Sequence, residues 1–145
     1  MNIVKGSVVA LGFLAAGLAG TALADDKPKA AANPNVAVVK DFIASWNDPD
    51  KAVTYLASDS AVRMEEDKPA IIGPDAAGKA FKGFLTNGTK LDVKILKTFA
   101  QGPVVVNERV DTLTVPGQKG QSFPVVGVFV VKDGKIKEWT DYLNK

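Results

Sequence analysis

The hydrophobic period of this chain changes once, at Asn87-Gly88, and that single change fixes what it can fold into. Before it, apolar residues recur at three- and four-residue spacing, as in Val38, Val39, Phe42, Ile43 and Trp46, the pattern of helices with one buried face. After it they alternate, as in Leu91, Val93 and Ile95 against Asp92, Lys94 and Leu96, the pattern of strands. Helices first and then strands joined by tight turns imply an α+β domain, its helices covering one face of a curved, mostly antiparallel sheet.

Local signals divide the two halves. A helix is expected from Asn35. Asn47-Asp48-Pro49 ends it and opens a second, 50–57, with Asp48 as N-cap and Pro49 at the first helical position. Ala61 to Glu66 reads as a strand, and Gly73-Pro74-Asp75 opens a third helix that Asn87-Gly88 stops. Gly102-Pro103, Pro116-Gly117 and Asp133-Gly134 then punctuate strands over 104–115, 122–131 and 135–143.

The first residues have a different character. Lys5, an apolar run from Val8 to Leu18 and Ala22-Leu23-Ala24 form the pattern of a secretory signal peptide over 1–24. Glycines at 12, 17 and 20 interrupt the run. It is shorter than the roughly 20 apolar residues a span needs. The expected product is exported, periplasmic or secreted, with no membrane attachment after cleavage. Residues 25–34, polar and proline-bearing, read as a flexible tether, and 35–145 as one domain.

Composition narrows the chemistry. Without Lys5, 17 basic residues face 16 acids, a balance that invites neither nucleic acid nor an anionic membrane. The chain has no cysteine and no histidine. Thiol nucleophiles, disulfide frameworks, serine–histidine hydrolysis, zinc hydrolysis and haem ligation are thereby set aside. Catalysis must rest on carboxylates, lysines, tyrosines or arginines.

The stretch Val104–Leu113 places Arg109 and Asp111 two apart in an apolar strand, so both share a face with Val105, Asn107 and Leu113. Near the C-terminus Asp141 shares a face with Trp139 and Leu143. Should the two strands line one cavity, two carboxylates and an arginine meet among apolar walls, a set able to move protons on a small apolar molecule. On the opposite face lie Val104, Val106, Val110, Val126, Val128 and Val130, which need a cover. A second copy of the chain is the simplest one, so a homodimer is expected. Trp46 and Trp139 read as core aromatics.

Asn-Glu-Arg-Val-Asp-Thr-Leu at 107–113, then Val-Val-Gly-Val-Phe-Val-Val-Lys-Asp-Gly-Lys-Ile-Lys-Glu-Trp-Thr-Asp-Tyr at 125–142, resembles the limonene-1,2-epoxide hydrolase family. The likeness extends over 35–145 and implies the NTF2-like (SnoaL-like) cone, with about three helices on a curved sheet around an apolar pocket. It implies that Asp141 takes a proton from water, Asp111 protonates the epoxide oxygen, and Arg109 bridges the two. It places Leu113, Phe123, Val125 and Leu143 in the pocket wall, in agreement with strand parity. One-step opening of this kind needs no covalent intermediate, metal or cofactor.

One part of the family pattern is broken. A tyrosine and an asparagine, two apart, would hold the water. Counting back from Gly73 finds Arg63 and Glu65 there. The alternative is that Val62 and Met64 face inward while Arg63 and Glu65 are solvated. Three functions follow as expectations: an epoxide hydrolase, an isomerase or cyclase using Asp111 or Asp141 as base, or a non-catalytic module binding a small apolar ligand.

Overall fold

The computed structural model describes residues 32–143. The expected signal peptide and most of the tether lie outside them. Of the tether, Asn33 caps the first helix and Pro34 opens it. α1 (Pro34–Ala44) starts where the Asn33 side chain accepts the Asn35 N–H at 3.0 Å, with proline at its first position. Val39, Phe42 and Ile43 form its buried stripe. The side-chain amides of Asn33 and Asn35 both donate to the Gly102 carbonyl at 3.0 Å, tying the start of α1 to a hairpin of the sheet.

α2 (Pro49–Ala52) is capped by Asp48, which accepts from Lys51 N. It is shorter than expected, passing into a 3-10 turn (Val53–Tyr55) and then directly into β1 (Leu56–Arg63). That strand begins five residues before the sequence pattern shows it. Its pairing shifts register between Leu56 and Ala61, so the first half does not alternate. The next strand, β2 (Ile71–Ile72), is only two residues long and leaves no periodic trace. It leads through Gly73 into α3 (Pro74–Phe84). Gly73 has a φ of +82° and approaches the Ser58 carbonyl closely, and both features suit glycine.

β3 (Lys90–Gln101), β4 (Val104–Thr114), β5 (Gln121–Lys132) and β6 (Lys135–Leu143) form a continuous antiparallel meander. The β5–β6 turn has positive φ at both Asp133 and Gly134, the handedness that matches strand twist. The sheet order is β2-β1-β6-β5-β4-β3, with β1 and β6 parallel and every other neighbouring pair antiparallel. The result is the expected helices on a mixed, six-stranded open sheet.

Helices and inner sheet face meet in an aromatic core centred on Phe42. Edge-on contacts suit the quadrupoles of aromatic rings. The Phe42 ring makes such contacts with Trp46 at 5.6 Å, Trp139 at 5.3 Å and Phe129 at 6.3 Å. Trp46 and Trp139 stack at 5.0 Å. Truncating so enclosed a ring costs about 3–5 kcal/mol in transfer and cavity terms, so this cluster sets how firmly the helices hold the sheet.

Candidate active site

Three adjacent strands build the site. On the inner face, Asn107 of β4 pairs with Gly127 of β5, which pairs with Asp141 of β6. In the next row Arg109 pairs with Val125 and Val125 with Leu143; beyond it Asp111 pairs with Phe123. Period-two alternation puts all of these on the side facing the helices.

Arg109 is the junction. Its Nε donates to both oxygens of Asp111 at 2.9 and 3.0 Å, and its Nη2 donates to Asp141 Oδ2. Nη1 donates to Asn107 Oδ1 at 3.1 Å. The Arg109 side chain is wholly removed from solvent. Trp46 covers the guanidinium, its ring centre lying 4.9 Å from Cζ, a cation–π arrangement that a dry site strengthens. Asp141 receives a further bond at Oδ1 from Trp139 Nε1, at 2.6 Å.

Burial pushes both carboxylates above the usual range, against the pull of Arg109. Asp141 is raised to about 6, with Arg109 and Trp139 lowering it and the neighbouring Asp111 raising it. Two acids share one buried cation here, so their protons belong to the pair. The larger rise at Asp141 would by itself leave a shared proton there. The donors argue for the opposite division. Asp141 is held by two separate groups that stabilise its ionised form, and Asp111 by Arg109 Nε alone.

Both carboxylates open into a cavity of ≈ 330 Å³ that α3 covers with Phe81 and Phe84. All four wall residues expected from sequence, Leu113, Phe123, Val125 and Leu143, line it. Val125 is buried, whereas Phe123 stands at 42% exposure. The turn after α1 adds Trp46. The two tryptophans read as core are thus both core and cavity wall.

The expected pair Arg63 and Glu65 separates. Val62 is wholly buried on the inner face, so alternation carries Arg63 away, and it does not line the cavity. β1 ends at Arg63, and beyond it both Met64 and Glu65 reach the cavity. Arg63 pairs with Thr140, the last paired position of β1, and Met64 follows it into the wall of the cavity that Asp141 also lines. An apolar thioether thus joins the cavity wall, with one more acid, Glu65, in the same wall.

Three contributors went unrecognised in the sequence. A glycine inside an apolar strand marks a close approach, which was the signal for Gly127. Asn107 and Trp139 each lie two residues from a carboxylate or arginine on the same face, and their bonds follow from that spacing.

Known proteins resemble this chain in sequence and in fold. Residues 33–145 match the limonene-1,2-epoxide hydrolase catalytic domain. Epoxide hydrolase EphG of Mycobacterium tuberculosis is 43% identical over 53 residues, 37% of this chain, and the match spans only 35% of that relative's length. The structure of an M. tuberculosis LEH-like epoxide hydrolase superimposes with a TM-score of 0.68 at 28% identity, covering 76% of this chain and 82% of the other. Delta 5-3-ketosteroid isomerase from Mycobacterium sp. gives a TM-score of 0.66 at 23% identity, over 77% of this chain and 93% of its own, a likeness of fold. On that match over residues 33–145, the chain belongs to the limonene-1,2-epoxide hydrolase family.

Proposed function

We propose that the protein adds water to an epoxide carried by a small, largely apolar molecule. The observation that carries this reading is Arg109 joining Asp111 and Asp141 at the wall of an apolar cavity. In the reaction, Asp141 draws a proton from water as the water oxygen bonds to an epoxide carbon. The C–O bond at that carbon breaks, and the departing oxygen takes the proton held by Asp111. The product is a diol, and one proton has passed from Asp111 to Asp141. Its return through the pair resets the site. A base of pKa about 6 is ionised near neutrality yet still able to accept a proton. Arg109 stabilises whichever carboxylate is charged throughout.

The test is turnover of a panel of epoxides in labelled water, with the label expected in the diol. Unlabelled product, or no opening of any epoxide, rejects the reading. One observation favours a second: Met64, in the same cavity wall as Asp141, offers no polar anchor for water. On that view Asp141 removes a proton from a carbon beside a ketone, as an isomerase or cyclase would. Exchange of solvent deuterium into a ketone, without oxygen incorporation, selects it.

Two further proposals accompany the first. The outer sheet face carries rows such as Phe99–Val106–Val128 and includes half-exposed Val104 and Val126, which a second copy would cover. Export rests on residues 1–24.

A further inference from the structure

A guanidinium has five N–H bonds in one plane. The two carboxylates of the site occupy only its Nε edge and Nη2. With the side chain fully removed from solvent, the remaining nitrogen, Nη1, has no water to turn to. A donor left unpaired in such a place would cost about 1–3 kcal/mol. Asn107 Oδ1 meets it at 3.1 Å. Asn107 is itself fully buried and does not line the cavity.

The second observation is the space that makes this contact possible. Arg109 starts on β4 and ends at a carboxylate on β6, so its head must cross β5. It crosses at Gly127. A Cβ at that position would lie 2.2 Å from Nη1, 2.8 Å from Phe129 Cε2 and 3.0 Å from Asn107 Oδ1. No side chain fits there without displacing the guanidinium or its partner.

We propose that Asn107 and Gly127 are positioning residues that set the in-plane rotation of the Arg109 guanidinium, so that Nε faces Asp111 while Nη2 faces Asp141. Gly127 opens the passage, and Asn107 fixes the head within it. The amide matters as a neutral acceptor. A carboxylate in its place would divide the one buried positive charge among three acids. The charged groups facing this guanidinium are Asp111 from β4 and Asp141 from β6, while Glu65 stands in the cavity wall beyond.

The inference deepens the hydrolase reading and rests on it for the purpose of the geometry, but its test does not depend on turnover. The carboxyl carbons of Asp111 and Asp141 are titrated by NMR in the wild type, Asn107→Leu, Asn107→Asp and Gly127→Ala, alongside kcat and KM on an epoxide. In Asn107→Leu the Asp141 titration should move up by roughly one pH unit as its hold on Nη2 loosens. On any substrate turned over, kcat should fall roughly ten- to a hundredfold with KM little changed. Asn107→Asp, which keeps an acceptor of the same shape, should restore much of the kcat while moving both carboxyl titrations upward. Gly127→Ala should resemble Asn107→Leu. Wild-type titration curves in folded Asn107→Leu overturn the proposal. If that variant does not fold, wild-type curves in Asn107→Asp overturn it instead. Shifted titrations with no epoxide opened by the wild type leave the positioning role standing and reject the hydrolase reading alone.

Discussion

Trp139 and Asp141 stand two residues apart on β6, and the indole N–H of the first is bonded to the carboxylate of the second at 2.6 Å. The same ring stacks on Phe129 and Trp46 in the core. The candidate base is therefore anchored directly to the aromatic core, and core and site respond together.

Acidity should show this coupling. Asp141 has a folded pKa of about 6 against an ordinary 3.8, so the folded state binds its proton more tightly than the unfolded state does. A raised carboxylate favours the fold below pH ~4 and loses that advantage as pH rises through about 6. Chemical denaturation from about pH 4 to 7 should show stability falling across that window, and Asp141→Asn should flatten the fall. The rate should run the other way, rising through pH ~6 as the base ionises.

Replacing either acid by its amide keeps the shape and removes the proton traffic. Asp111→Asn and Asp141→Asn should each lower kcat by about 10²–10⁴-fold, with far-UV circular dichroism unchanged. Steady-state kinetics on the best epoxide of the panel checks this, and full activity in both variants would dismiss the mechanism.

Met64 gives a prediction of opposite sign. An amide in the cavity wall that Asp141 shares would hold a water where the thioether cannot, so Met64→Asn should raise kcat for epoxide opening several-fold. Burying the amide part-way should cost stability, about 1–3 kcal/mol. Single-turnover rates and thermal melts measure the two effects separately. An unchanged or lower rate would mean that water is held from elsewhere in the cavity.

The outer face is tested by charge. Val128 sits mid-row between Val106 and Thr140, and Val128→Glu puts an acid into the centre of the expected contact. Sedimentation equilibrium should give twice the chain mass for the wild type and a single chain for the variant. One chain in both discards the dimer.

Much of this was legible from residue order alone. Period-two spacing put Arg109, Asp111 and Asp141 on one side together with Leu113, Val125 and Leu143, and the structure brings these together around one hollow. The bend after β1 was not legible. Counting back from Gly73 pairs Arg63 with Glu65, but β1 ends at Arg63 and the chain bends before the two-residue β2, which breaks any simple count. Gly127 was visible only as part of a motif. Its purpose depends on a guanidinium arriving from a neighbouring strand, which no local pattern encodes.

Arg109 reaches across β5 to a carboxylate two strands away, a distance near twice the ~4.8 Å strand spacing. That reach has a consequence for assembly of the chain. A slip of one residue in either the β4–β5 or the β5–β6 hairpin would turn one partner to the far side of the sheet, leaving a buried cation facing valine. The ionic link thus acts as a proofreader of alignment: chains that mispair cannot complete it, and those that complete it have all three strands in step.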